Sequence, residues 1–499
     1  GGRIIDGMGN PAVHADVAIK GGRIVRVGRI SGSADQVLMA EGRIVAPGFI
    51  DVHTHGEQVD ELPLAENFTR TGVTTIIVGN CGSSVLKVGV FLRRLEITNV
   101  AVNVATLIGH GDVREKAMGG SFNRPPSAAE LKEMKRLVTR AMEEGALGLS
   151  TGLIYLPGTF SETEELIELA KCVAEHGGIY TTHMRDEGTE IFSALDEVFR
   201  IARGAGLRAH VSHIKLSGKP NWGRADAVLA AIGRARAEGL DITQDQYLYT
   251  ASSTTLAQLV PEEARAGGKL AERLADPAQK QRIVAAMREK LERGQRGDYA
   301  YVTLAECRRD SGLNGLTVPL AAKRTRGTDA LTDQIELVLE LVAQGGTTAV
   351  FHGISEEDLR TFLRHPNTMI ASDSALRRFG EGQPHPRGYG NAARLLSRYV
   401  REMGVLRLED AVRRLTGLPA STFGLADRGV LREGAWADVV IFDPARVRDN
   451  ATFAAPHQYA TGFDWVLVNG VAVVRADAHT GARSGQALRG GRAGKTSSP

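Results

Sequence analysis

Between residues 48 and 425, short runs rich in Val, Ile and Thr alternate with longer stretches in which apolar residues recur at helical spacing. The short runs predict strands at 49–53, 74–78, 102–108, 146–150, 179–183, 209–213, 241–246 and 368–372. The longer stretches predict helices at 127–144, 162–176, 191–204 and 224–238. The first of these opens with Ser127-Ala128-Ala129-Glu130, a capping-box pattern. Strands and helices in regular alternation predict an α/β protein, a (β/α)8 TIM-like barrel. A doubly wound open sheet is the alternative, disfavoured because no Gly-x-Gly-x-x-Gly follows an early strand. A block at about 257–347, with charged helical stretches such as 277–293, interrupts the last two barrel units and predicts an inserted helical lid segment.

The two chain ends read differently. Residues 1–47 are short β-like pieces parted by Gly and Asp, and similar material returns in 426–485. The simplest account is one small composite β-sandwich domain built from both ends, flanking the barrel of 48–425. Residues 486–499 read as a disordered tail.

Composition narrows the function classes. The chain has 499 residues, 61 Lys plus Arg against 58 Asp plus Glu, and so a net charge of +3. No nucleic-acid partner is expected from that balance, nor a membrane partner, since no run reaches the ~18 apolar residues of a spanning helix. Three scattered cysteines, Cys81, Cys172 and Cys307, argue against a disulfide framework and for a reducing compartment. The expected location is therefore cytoplasmic. That expectation rests on cysteine usage alone, because the chain starts without Met, as if inside a strand.

The candidate chemistry sits where the predicted strands stop. His53 and His55 end the first strand, and in a strand residues i and i+2 share a face. Cys81 follows the second strand, His110 the third, His183 the fifth, His213 the sixth and Asp373 the eighth. Each has a dull reading alone: a buried structural thiol, a satisfied polar histidine, a helix N-cap. In a barrel, however, all strand C-termini gather on one face, so that five imidazoles, a thiol and a carboxylate would meet there. Jointly they predict a metal centre.

At this point the sequence resembles the amidohydrolase superfamily, through Gly48-Phe49-Ile50-Asp51-Val52-His53-Thr54-His55 and the composite β-domain. Further motifs are similar to its N-acyl-D-amino-acid deacylase (D-aminoacylase) branch: Val78-Gly79-Asn80-Cys81-Gly82, Gly109-His110-Gly111, Thr182-His183-Met184-Arg185, Ser212-His213-Ile214-Lys215, Asp245-Gln246-Tyr247, Ser372-Asp373 and His385-Pro386-Arg387. The resemblance implies one tight zinc site on Cys81, His183 and His213, and leaves open a second, weaker site on His53 and His55. Many amidohydrolases carry a metal-bridging lysine after the fourth strand. This chain has Gly148-Leu149-Ser150-Thr151-Gly152 there, and a thiolate at Cys81 could bridge in its place.

The implied reaction is hydrolysis of an N-acyl-D-amino acid to a carboxylate and a free D-amino acid. Zinc lowers the pKa of bound water toward ~7. Asp373 is the expected general acid/base, and His110 is expected to help the oxyanion. Lys215, Tyr247, Ser253 and Arg377 are the expected substrate contacts, Arg377 as a clamp on the carboxylate. The expected partner is thus a small N-acyl amino acid, with an N-acyl-D-glutamate preference one option. Alternatives are a cyclic-amide hydrolase of dihydroorotase or hydantoinase type, and an inactive amidohydrolase-like scaffold. Oligomeric state is not legible.

Overall fold

The structure, a computed structural model, describes residues 1–490. Its centre is a ring of parallel strands: β1 (Phe49–Asp51), β2 (Val73–Val78), β3 (Asn103–Thr106, continued by Ile108–Gly109), β4 (Gly148–Gly152), β5 (Ile179–His183), β6 (Ala209–Val211), β7 (Ile242–Gln246) and β8 (Thr368–Ile370). β1 pairs with β2 and β2 with β3, while β3 through its second half pairs with β4, followed in order by β5, β6, β7 and β8. The ring closes just beyond β1 and β8, where Thr54–His55 pairs in parallel with Ser374–Ala375 and the Asp373 N–H donates to His53 O at 2.9 Å. This closure carries His53, His55 and Asp373 to one place.

β-Branched side chains explain the strands. All six residues of β2, Val-Thr-Thr-Ile-Ile-Val, are buried, as a strand covered on both faces requires. Helices cover the outside. Ser127 caps the helix Ala128–Glu143 by accepting from Glu130 N at 3.3 Å, while the Glu130 carboxylate accepts from Ser127 N at 2.7 Å.

The chain ends form one eight-stranded sheet. Gly2–Ile4, Val13–Lys20, Arg23–Gly28 and Ile44–Pro47 join Val439–Phe442, Phe463–Val468, Val471–Arg475 and Ala478–His479. Residues 486–490, assigned to a tail from the sequence, are a correction. Val104 N donates to Gln486 O at 2.9 Å and Leu488 N to Val104 O at 2.8 Å, so this segment lies along β3. The rest of the expected tail lies outside the described residues.

The insertion also differs from its reading as a helical segment at about 257–347. Strands Ala251–Thr255, Val302–Cys307 and Thr347–His352 form an antiparallel sheet, and helices such as Pro277–Arg293 and Leu331–Gln344 pack on a separate core including Leu256, Met287, Leu304 and Val338. Ala-Ser-Ser-Thr-Thr gave no apolar run, so its strand escaped a hydrophobicity pattern. Among the described residues no helix is long and apolar enough to cross a membrane.

Candidate metal centre and active site

Cys81 follows β2 in the turn Gly79-Asn80-Cys81-Gly82. Gly79 and Gly82 adopt φ of 81° and 79°, and a Cβ on Gly79 would sit 2.3 Å from Leu107 O. Only glycine fits that approach. Asn80 Nδ2 donates to Ile77 O at 2.9 Å. Ser150, on β4, completes the support: its hydroxyl donates to Gly79 O at 2.5 Å and accepts from Gly82 N at 3.0 Å. Ser150 thus holds the cysteine turn from the fourth strand. Cys81, His213 and Asp373 all lie at positive φ, 53°, 37° and 50°. Non-glycine residues held there cost of order 1–3 kcal/mol each, a strain that clusters at functional sites.

The side chains converge. Cys81 Sγ lies 3.2 Å from His53 Nε2, 3.7 Å from His213 Nε2 and 4.0 Å from His183 Nδ1. Two donor trios, His53-His55-Cys81 and Cys81-His183-His213, each have ligand atoms within 4.8 Å of one another, and Cys81 belongs to both. Donors ~2.0–2.3 Å from a tetrahedral zinc stand about 3.5 Å apart. The cluster therefore fits a zinc ion without large movement. Its chemistry fits as well: burial works against ionisation of Cys81, but His53 and hydrogen bonds from His183 and His213 hold the thiol well below its usual range.

A surrounding layer orients the imidazoles. Glu187 Oε1 is 2.9 Å from His213 Nδ1, leaving Nε2 to face the cluster, and Glu187 Oε2 is 3.7 Å from His183 Nε2. Asp245 Oδ2 lies 3.4 Å from His53 Nδ1 and 2.7 Å from His210 Nε2, while its Oδ1 accepts from His213 N at 2.9 Å. Carboxylates behind the ring nitrogens fix tautomers and raise ligand basicity. Glu187 and Asp245 are buried, which alone would raise them; Lys215 and the histidines around Glu187, and His53 and His210 around Asp245, keep both below the usual carboxylate range. Asp51 ties the first and last strands, accepting from Ser372 N at 3.0 and 3.1 Å, and burial pushes its carboxyl up to about 6.

Asp373 stands beside the first trio. Its Oδ1 is 3.2 Å from His55 Nε2 and 3.5 Å from His53 Nε2, and its Oδ2 is 2.9 Å from Arg387 Nη1. Burial opposes ionisation, yet Arg387 and then His53 hold the carboxyl well below its ordinary value. Arg387, given no site role from the sequence, also lies 4.4 Å over the Tyr247 ring.

A cavity of about 670 Å³ opens on this cluster, lined by His55, Cys81, Tyr155, Ser253, Asp373 and Arg377, among others. Arg377 is half-buried, its buried Nε has no hydrogen-bond partner, and among the described residues it makes no ion pair with a carboxylate within 4.0 Å. It is a half-buried cation on the cavity wall. Ser253 reaches the wall from the insertion. Lys215 and Tyr247 stand one layer out: Lys215 Nζ is 2.5 Å from Glu187 Oε1 and 2.9 Å from His213 Nδ1, and the buried Tyr247 hydroxyl has no partner. His110 does not join the cluster. Glu165, from the helix Thr163–Ala174, lies 2.7 Å from its Nε2, and Nδ1 is buried without a partner. The structure places His110 beside Glu165 and outside the donor trios, with no contact that bears on the expected oxyanion role.

Glu187, Asp245, Ser150 and Arg387 are the functional residues that motif reading did not assign. Asp245, Arg387 and Ser150 stood in quoted motifs, so a signal existed for them; Glu187 had none.

Known proteins share this plan. Residues 36–474 match the model of the Amidohydrolase family. An N-acyl-D-glutamate deacylase of Alcaligenes xylosoxydans xylosoxydans is 38% identical over 95% of this chain and 92% of its own length. A D-aminoacylase of the same organism is 35% identical over 98% of this chain and 96% of its own. The solved structure of an N-acyl-D-glutamate deacylase from Bordetella bronchiseptica, complexed with zinc and a phosphonate mimic of the tetrahedral intermediate, superposes with a TM-score of 0.83 at 35% identity, covering 98% of both chains.

Proposed function

The chain belongs to the amidohydrolase family, a hydrolase acting on linear amide bonds, and we propose that it is a zinc-dependent deacylase of N-acyl-D-amino acids. One observation carries the reading: two donor trios share Cys81 beside a carboxylate, Asp373, in a cavity whose wall carries the half-buried Arg377 without a carboxylate partner.

Zinc, when bound by these donors, supplies an activated water and Lewis-acid polarisation of the scissile carbonyl. The tighter position is assigned to Cys81, His183 and His213, the trio braced by Glu187. His53 and His55 hold the second, weaker one. Asp373, fixed by Arg387, takes a proton from the attacking water at Oδ1 and returns it to the amide nitrogen as the C–N bond breaks. An amine leaves poorly unless protonated, so the shuttle is essential to an amidase. Arg377 donates bidentately to the substrate carboxylate, helped by Ser253, while Lys215 and Tyr247, expected from the sequence as further contacts, stand one layer behind the cavity wall.

The substrate is linear, with D-glutamate, D-aspartate or apolar side chains as the candidates. The test is turnover by the zinc-loaded enzyme of N-acetyl-D-glutamate, N-acetyl-D-aspartate and N-acetyl-D-methionine beside hydantoin and dihydrouracil. Hydrolysis of at least one acyl-D-amino acid with no ring opening is expected. Ring opening alone would assign the protein to the cyclic-amide hydrolases, and metal binding without either reaction to an inactive scaffold.

A further inference from the structure

Between the end-sheet strands Val439–Phe442 and Phe463–Val468 the chain leaves the sheet, and residues 443–462 reach the barrel and the insertion. Asp449 accepts from the Tyr249 hydroxyl at 2.7 Å. The Phe453 ring packs on His385 and His352, with centroids 5.1 and 4.9 Å apart. The far part of this arm meets the loop after β8, the stretch that carries Arg377 and Arg378 on the cavity wall. His457 Nδ1 lies 3.1 Å from Gly380 N and 2.9 Å from the Tyr389 hydroxyl, and Nε2 lies 3.2 Å from Gly382 O. Two donors meet at Nδ1, so the ring proton sits on Nε2 and is donated to Gly382 O. One neutral tautomer satisfies all three contacts. Beside it, Phe379 stacks on Tyr459 at 5.0 Å, and Gln383 Nε2 donates to Phe453 O and Ala454 O at 3.0 and 2.9 Å.

The loop does not hold this shape unaided. Gly380 and Gly382 sit at φ of 87° and 70°, and nothing approaches the Cβ position of Gly380 within 4 Å. Glycine there makes the backbone permissive, so the position of the arginines is imposed from outside. Asn67 Oδ1 accepts from Arg377 N at the base, and the arm grips the tip. We propose that residues 449–459 form a brace from the end sheet that positions the substrate loop, with His457 as the positioning residue that keeps Arg377 placed for the substrate carboxylate. The identity of that ligand rests on the deacylase reading; the brace itself does not.

The experiment compares wild type with His457→Ala and His457→Gln, all zinc-loaded, by steady-state kinetics on the best N-acetyl-D-amino acid, zinc content, and hydrogen exchange of the peptide spanning 376–383. His457→Ala is expected to raise KM by about tenfold while kcat stays within about threefold, with zinc content unchanged and exchange of 376–383 faster, as loss of three positioning hydrogen bonds implies. His457→Gln, which keeps a donor and an acceptor, is expected to recover part of both effects. Unchanged exchange overturns the brace, as does faster exchange with an unaltered KM. Should wild type hydrolyse no acyl-D-amino acid, the deacylase reading fails, and the exchange comparison still decides the brace.

Discussion

Cys81 joins the two proposed metal positions, because the trios His53-His55-Cys81 and Cys81-His183-His213 share its sulfur. Cys81→Ser should lose zinc from both positions, whereas Asp373→Asn should keep its zinc and lose kcat by roughly 10²–10⁴-fold, the usual weight of a general acid/base. Metal analysis beside kinetics separates the two. The thiols offer an independent check. His53, His183 and His213 hold the Cys81 thiol well below its usual range, while burial pushes Cys307 up to about 11 and also raises Cys172. At pH 8 a thiol of that kind is only ~0.1% ionised. Iodoacetamide should therefore label chelator-treated protein at Cys81 alone, and zinc should protect it; labelling of Cys307 at a similar rate would contradict the electrostatics. Cys81, the histidines and Asp373 were legible in sequence because each directly follows an apolar strand. Ser150, Glu187 and Arg387 act through partners 68, 26 and 14 positions away, at Gly82, His213 and Asp373, and no local pattern reports which loops meet.

Strand β1 leads to His53 and His55, the position proposed to be the weaker one, and the eighth unit supplies Asp373, both held by the Thr54–His55 and Ser374–Ala375 pairing. The arrangement predicts separable metals. His53→Ala with His55→Ala should retain roughly one zinc per chain on the trio of Cys81, His183 and His213, a set sufficient for a tetrahedral site with one open position. Loss of all zinc in that double variant, read by metal analysis after gel filtration, would show that the trios do not act independently. Legibility at this scale followed residue type. Strands such as β2 announced themselves through Val and Ile buried on both faces, whereas Ala251–Thr255 is half-exposed Ser and Thr and carried no such signal.

The end sheet and barrel are joined by a buried polar knot. Arg428 pairs with Asp438, its Nη1 donates to Asn469 Oδ1 at 2.9 Å and its Nη2 to Gln486 Oε1 at 3.0 Å. Asn103, on β3, donates to Asp438 at 3.1 Å and accepts from Asn469 at 2.8 Å. Arg428→Ala would strand a buried carboxylate, at a cost of about 3–5 kcal/mol. A clear fall in Tm with the zinc centre intact is expected; an unchanged Tm would mean the knot contributes nothing. The sequence showed that the two ends belong together through their shared β-like texture. It did not show that residues 486–490 continue past the end sheet onto the barrel, since Gln486-Ala487-Leu488-Arg489-Gly490 is too short and mixed to read as a strand.

All three scales converge on one chemical claim, that this cavity hydrolyses acylated D-amino acids with zinc. The direct measurement is kcat/KM for N-acetyl-D-methionine, N-acetyl-D-glutamate and their L-enantiomers, on chelator-treated protein before and after one equivalent of zinc. Turnover of a D-substrate that appears with the metal, while both L-enantiomers stay at background, is the predicted result. Equal turnover without metal, or turnover of the L-enantiomers alone, would contradict it.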